Sequence, residues 1–231
     1  MKTIGLLGGM SWESTLEYYR VLNEGIQHRL GGLHSAKIVM HSVDFGPIEV
    51  SMRQGDWDNV AASLIEGALG LEKAGADFFL ICTNTMHKLA PVIEKNVTLP
   101  LLHIVDPTAE VLAGRNIRKA GLLGTSFTME EEFYRGRLMN NYDIEVVIPD
   151  KADRETVNSV IFKELCCGKV VESSKTEYIR IIQSLQQQGA QGIILGCTEI
   201  GLLVKQKDVD IQLFDTAHLH AARAVELALE E

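Results

Sequence analysis

Gly189-Ala190-Gln191-Gly192-Ile193-Ile194-Leu195-Gly196-Cys197-Thr198 is a short apolar run that ends in a thiol and a hydroxyl. It closely resembles Gly75-Ala76-Asp77-Phe78-Phe79-Leu80-Ile81-Cys82-Thr83 earlier in the chain. Upstream of each run a second pair recurs. Ile4-Gly5-Leu6-Leu7-Gly8-Gly9-Met10-Ser11 resembles Ala120-Gly121-Leu122-Leu123-Gly124-Thr125-Ser126-Phe127. The Leu-Leu-Gly elements are 116 residues apart, and Cys82 and Cys197 are 115 apart. Unrelated coincidences would not share an offset, so the chain reads as two similar halves.

Outward from these runs, short strands alternate with longer helical patterns. Thr3–Leu7, Lys37–Ser42, Asp77–Cys82, Leu101–Val105, Ala120–Leu123, Glu145–Ile148, Gly192–Leu195 and Gln212–Phe214 read as strands. Their apolar residues run continuously rather than alternating, which implies burial on both faces of a parallel sheet. Ser14–Leu30, Trp57–Ala74, Thr128–Asn140, Arg154–Cys167 and Ser173–Gln188 show helical spacing, and Thr216–Glu231 reads as a last helix packing back on the first half. Such alternation predicts α/β architecture: two similar parallel-sheet domains related by a pseudo-two-fold. The expected division is residues 1–105 plus 216–231 against residues 106–215, with the join near Val105–Arg118. Ligands of open parallel sheets bind beyond the strands' carboxyl ends. The expected active site is therefore a cleft between the domains, with Cys82/Thr83 on one wall and Cys197/Thr198 on the other.

Composition narrows the partners. The 231 residues are 46% hydrophobic and 23% charged, ordinary for a globular enzyme. A net charge of −9 argues against nucleic acid, whose phosphates need clustered Lys and Arg. No apolar run approaches a bilayer-spanning length, so no membrane partner is expected. The N-terminus has one basic residue and a glycine-rich apolar stretch, a poor signal peptide. Cys166 and Cys167 are adjacent and nothing indicates secretion, so four reduced thiols in the cytoplasm are expected. No C-x-x-C pair is present and the histidines lack ligand spacing, so no metal is expected.

Three motifs carry chemistry. Ile4–Thr15 is a strand, a glycine turn and a helix start. Its amides suit a small carboxylate, and its spacing departs from the dinucleotide fingerprint G-x-G-x-x-G. The plainer reading is a tight strand-to-helix turn. In Ile81–His87, Asn84 and Thr85 can bond a carboxylate or amine without adding charge, or can simply cap the next helix. Strand alternation lets only one of Cys82 and Thr83 face a cleft readily, and Cys82 reads as core. In Gly196-Cys197-Thr198-Glu199, a thiol after a buried strand stands at a helix start whose amides are expected to lower its pKa. An isolated cysteine is usually a small buried hydrophobe, but its mirrored position here favours function.

Leu-Leu-Gly-Gly-Met near the N-terminus, Cys82-Thr83-Asn84-Thr85-Met86-His87 and Gly196-Cys197-Thr198-Glu199-Ile200 together resemble the aspartate/glutamate racemase family, across essentially the whole chain. The closest likeness is to the bacterial branch with broad or aspartate/glutamate-directed amino-acid racemase activity. The resemblance implies a two-base mechanism without pyridoxal phosphate or any other cofactor, on a small amino-acid substrate. One thiolate removes the α-proton while a group on the opposite face returns one. The family reads C-N-T-x-H in its first half. Aligned on Asn84-Thr85-x-His87, its cysteine falls on Thr83, whereas the repeat offset pairs Cys82 with Cys197. The local motif is preferred, with Cys82 as the alternative to Thr83, because a one-residue slip in a strand reverses which side faces the ligand.

The resemblance thus implies Cys197 as the base on the L face and Thr83, a far weaker base, relaying the other proton. Turnover from the D enantiomer is expected to be slow, a kinetic effect since equilibrium requires equal amounts of both. Met10, Ser11, Arg53, Asn84, Thr85, Thr125, Thr198 and Glu199 form the implied substrate shell. Arg53 matches a loop that carries a substrate-binding arginine in the family, and otherwise reads as a solvated loop charge. Where aspartate-specific members carry a lysine, this chain has Cys166, with Lys163 nearby. His87 is placed to orient the first motif, and neither it nor His218 or His220 is assigned as a base. A homodimer is expected because the family commonly forms one. Two alternatives stay open. One is a same-fold relative acting on another carboxylate (an arylmalonate decarboxylase, maleate isomerase or hydantoin racemase); the other is a carboxylate-binding protein without catalysis.

Overall fold

A computed structural model describes residues 1–230 of the chain; Glu231, the end of the expected last helix, lies outside the described residues. The chain forms two compact units. One comprises Met1–Ile104 with the segment from His220 onward, the other Val105–Leu219. The divisions thus fall at 104/105 and 219/220, against the 105/106 and 215/216 read from sequence. Both units are α/β with wholly parallel sheets, as the continuous apolar runs required.

In the first unit the chain runs β1 (Ile4–Gly8), α1 (Trp12–Leu30), β2 (Ile38–Ser42), α2 (Phe45–Gln54), α3 (Trp57–Lys73), β3 (Phe78–Ile81) and α4 (Ala90–Glu94). The strand order is β2-β1-β3, and every residue of β1 and β3 is buried. The turn after β1 needs glycine: Gly9 has φ +93°, and a Cβ there would lie 2.3 Å from the Val43 carbonyl oxygen. Ser11 then caps α1, its side chain accepting from the Ser14 amide. Ser14, Tyr18, Val21, Leu22 and Ile26 recur at three- and four-residue spacing and form the buried face of α1.

Two expectations are corrected in this unit. The stretch holding Arg53, read as a loop, is helix α2. Asp44 caps it by accepting from Gly46, and Pro47 stands in the first turn, where its missing N–H costs nothing. Leu101–Val105 is not a strand either. Phe79 donates to Pro100 and accepts from Leu102, giving a single bridge, Phe79 to Leu101. The pairing goes no further, although β3 continues to Ile81. Imidazoles take the next backbone groups: His220 Nε2 lies 2.8 Å from the Leu102 oxygen, and the Ile104 amide donates to His87 Nε2 at 3.2 Å.

These buried rings tie the first unit's stability to pH. Burial first, then the neighbouring His87, lowers the His220 pKa from 6.5 to about 3. The folded His220 stays neutral where an unfolded one takes a proton, so stability holds above pH 6.5 and is lost as pH falls below it. At about 1.4 kcal/mol per pH unit, the loss at pH 5 is about 2 kcal/mol. Urea melts at pH 7.5 and 5 should show this drop, and His220→Gln should show about 2 kcal/mol less of it despite a lower starting stability. An equal drop in both proteins would refute the assignment.

The second unit runs α5 (Val105–Gly114), β4 (Lys119–Gly124), α6 (Ser126–Glu130), α7 (Glu132–Tyr142), β5 (Glu145–Val147), α8 (Lys151–Lys163), α9 (Glu172–Gln187), β6 (Gly192–Gly196), α10 (Ile200–Leu203), β7 (Leu213–Asp215) and α11 (Thr216–Leu229), whose residues from His220 belong to the first unit. The strand order β5-β4-β6-β7 repeats the pattern β2-β1-β3 with one strand added beyond it. α5 opens where the sequence suggested a strand ending in a join. It is anchored by Asp106, whose two carboxylate oxygens each accept from Arg137 at 2.7 Å. The expected helix Thr128–Asn140 is broken at Glu131, whose backbone is extended, and the expected Arg154–Cys167 ends at Lys163, followed by a single tight turn at Leu165–Cys167.

Candidate active site

Strand register decides which residues are equivalent in the two halves. β1 pairs with β3 so that Leu7 lies beside Ile81, and β4 pairs with β6 so that Leu123 lies beside Leu195. Leu7 and Leu123 are counterparts in the repeat, so Ile81 and Leu195 are too. Two residues further along, Thr83 corresponds to Cys197, and one residue along, Cys82 corresponds to Gly196. The offset that matched the two cysteines is therefore slipped by one: the counterpart of Cys82 is Gly196, not Cys197.

Burial follows the same division. Cys82 is fully buried, burial pushes its thiol far up, and its backbone carbonyl accepts from Ser14 Oγ at 2.9 Å. It is a core residue. Thr83 is partly exposed, and its carbonyl is held by His87 Nδ1 at 2.8 Å. Asn84 and Thr85 follow it, both buried, at the start of a short tight helix, Thr85–Leu89.

At the end of β6, Cys197 Sγ donates to Glu199 Oε2 at 3.0 Å, and Thr198 Oγ1 donates to the same oxygen at 2.8 Å. Cys197 and Glu199 are buried, and Thr198 is partly exposed. The expectation that helix amides lower the thiol pKa is overturned. Burial first, then the Glu199 charge and the neighbouring Cys166, push Cys197 well above its ordinary value. The Glu199 amide does pull the other way but is outweighed; α10 behind it has only four residues. At neutral pH Cys197 therefore rests as a thiol that donates to Glu199. Such a pair can pass a proton inward to oxygen as sulfur accepts one from carbon.

The other expected residues divide between the units. Met10 and Ser11 lie buried in the turn between β1 and α1. Thr125 is buried at the matching turn after β4, capping α6 by accepting from the Thr128 amide. Arg53 sits in the last turn of α2, largely exposed and paired with Glu49 on its own helix at 2.8 Å. Sequence reading missed Asn158 of α8, whose side chain accepts from the Ser126 amide at 2.9 Å and fixes the turn beside Thr125. It also missed buried His103, whose ring centre is 4.6 Å from that of His87. Neither residue stands in a motif. Among the described residues no group of three or more His, Cys, Asp or Glu is arranged to hold a metal, and no helix is long and apolar enough to cross a membrane.

Two parallel-sheet α/β units, one ending a central strand in a buried thiol–carboxylate pair, fit a class of enzymes that move protons on small carboxylates. The Asp/Glu/hydantoin racemase family model matches residues 7–224, and the chain belongs to that family. It is 52% identical to a Yersinia pestis protein of known structure described as a candidate Asp/Glu racemase, covering 100% of both chains with a TM-score of 0.93. An aspartate racemase homologue from Pyrococcus horikoshii OT3 is 35% identical, again over 100% of both chains, with a TM-score of 0.85. The broad-specificity amino-acid racemase RacX of Bacillus subtilis (strain 168) is 26% identical over 219 residues, 93% of this chain and 92% of that protein.

Proposed function

We propose that the protein is a pyridoxal-phosphate-independent amino-acid racemase that interconverts the L and D forms of aspartate or glutamate and admits other amino acids more weakly. The observation that carries this reading is the Cys197–Glu199 pair at the end of β6. Cys197 takes the α-proton on the L face while its own proton passes to Glu199. The carbanion is reprotonated on the opposite face by a proton relayed from water through the Thr83 hydroxyl, after which Glu199 gives its proton to solvent. Atoms and charges balance, and no cofactor is required for any step.

The turn residues Met10, Ser11 and Thr125, with Asn84, Thr85 and Thr198, are proposed to hold the substrate's carboxylate and amine, and Arg53 its outer charge. An α-ammonium near the thiol would also favour the thiolate. The names of the Pyrococcus and Bacillus relatives support aspartate and a broad set, respectively, as substrate classes. A cytoplasmic homodimer completes the reading.

The test is α-proton loss followed by NMR in heavy water. L- and D-aspartate, glutamate and alanine should lose their α-proton signal and form the mirror isomer, with malate unchanged. Exchange confined to another carboxylate would assign a different member activity, and tight binding without exchange would make the protein a carboxylate binder.

A further inference from the structure

Hydrogen bonds define the tautomers of two buried histidines of the first unit, His87 and His220. His87 Nδ1 lies 2.8 Å from the Thr83 carbonyl oxygen, which can only accept, so Nδ1 carries a proton. His87 Nε2 lies 3.2 Å from the Ile104 amide, which can only donate, so Nε2 carries none. The ring is therefore a neutral imidazole in the Nδ1–H form. His220 is fixed in the opposite sense: its Nε2 must donate to Leu102, leaving Nδ1 to accept from the Tyr18 hydroxyl at 2.8 Å. Both rings are essentially without solvent contact. Each His87 nitrogen is engaged by backbone, so the ring is poorly placed to exchange protons with a substrate.

We propose that His87 is a positioning residue for Thr83. Beyond Ile81 the strand ladder gives out, and Cys82 N, donating to Leu7 O, is its last backbone bond. The peptide after Thr83 is then oriented by the imidazole four residues on, tied at its other edge to Ile104. Pinning that carbonyl fixes the backbone angles of Thr83 and hence where its hydroxyl points. This inference rests on the role given above to Thr83, and its test separates the two.

Asparagine places an amide near the Nδ1 position and can keep the bond to Thr83; glutamine reaches the Nε2 position and can keep only the bond to Ile104. With L-aspartate in heavy water, deuterium entering recovered L-aspartate reports the Cys197 face, and D-aspartate formed reports both faces. His87→Gln should lower D-aspartate formation about tenfold or more relative to exchange on the L face, since a misplaced group costs up to about a hundredfold. His87→Asn should hold that ratio within about threefold of the unmodified protein. A general loss of structure would lower both signals together. A ratio unchanged in His87→Gln, or equally reduced in both variants, would overturn the proposal. Absence of any exchange in the unmodified protein would instead overturn the racemase reading. Should His87→Gln fail to fold, nitrogen-15 NMR of the unmodified protein still decides: the Nδ1–H form of His87 is expected at about pH 8, where an ordinary imidazole is neutral, and an Nε2–H form would refute the clamp.

Discussion

Cys197→Ala is expected to remove deuterium exchange at the α-carbon of L-aspartate by about 10⁴-fold or more, the scale on which loss of an essential proton-transfer group is felt. The fold should survive. The side chain is buried at a strand end and its removal leaves a cavity of about one atom, costing on the order of 1 kcal/mol. Two companion variants give the result its meaning. Thr83→Ala should cut formation of the D isomer while leaving exchange on the L face nearly intact. Cys82→Ala should lower the melting temperature without touching either signal, because that sulfur is sealed in the core behind β3. Undiminished exchange in Cys197→Ala would end the mechanism, and loss confined to Cys82→Ala would mean that the other alignment of the first motif is right. The comparison must use exchange rather than turnover alone. The two enantiomers have equal free energy, so kcat/KM is the same in both directions whatever the asymmetry of the catalytic groups.

Glu199→Gln tests how the thiol becomes a base. The carboxylate acts on Cys197 in two opposed ways. Its charge helps hold the thiol pKa up, and its oxygen, 3.0 Å from sulfur, is placed to take the thiol proton. If a preformed thiolate did the work, removing the charge would lower the thiol pKa and speed exchange at neutral pH. If Glu199 is the acceptor, the variant should lose about 10²-fold or more in exchange rate, the usual weight of a positioned base. The second outcome is expected. What activity remains in Glu199→Gln should climb about tenfold per pH unit on the alkaline side, since the thiolate fraction rises in that proportion below the pKa. The unmodified protein should depend less steeply on pH there. A variant faster than the unmodified protein at neutral pH would refute the proton-acceptor role.

Much of the architecture is legible in the sequence, and for a physical reason. A strand covered on both faces has to be a continuous apolar run, so Ile4–Gly8, Phe78–Ile81, Lys119–Gly124 and Gly192–Gly196 stand out from polar surroundings. The repeat of glycine turn and strand-end hydroxyl or thiol then implied two related sheets. Less visible were elements whose identity depends on their neighbours. α2 begins with Phe45-Gly46-Pro47, which reads as a turn until Asp44 is seen capping it. Leu101–Val105 is apolar enough for a strand, yet only one residue finds a ladder partner, and imidazoles take the next backbone groups.

At the site, residue types alone marked Cys197 and its neighbours as chemical and told nothing of their state. A thiol before a helix start suggests a lowered pKa; a buried thiol facing a carboxylate has a raised one, and burial is a property of the packed whole. The chain order also left Cys82 and Thr83 in competition. Matching cysteine with cysteine does not reveal that Gly196, rather than Cys197, is the counterpart of Cys82. The pairing of Leu7 with Ile81 and of Leu123 with Leu195 does, because hydrogen bonds between strands fix absolute register. Sequence by itself therefore determined the duplicated α/β plan and singled out Cys197 as the candidate base. Tertiary structure alone decided which first-half residue is its counterpart, which form the thiol rests in, and which histidine holds the Thr83 carbonyl, since each depends on how the strands and side chains pack.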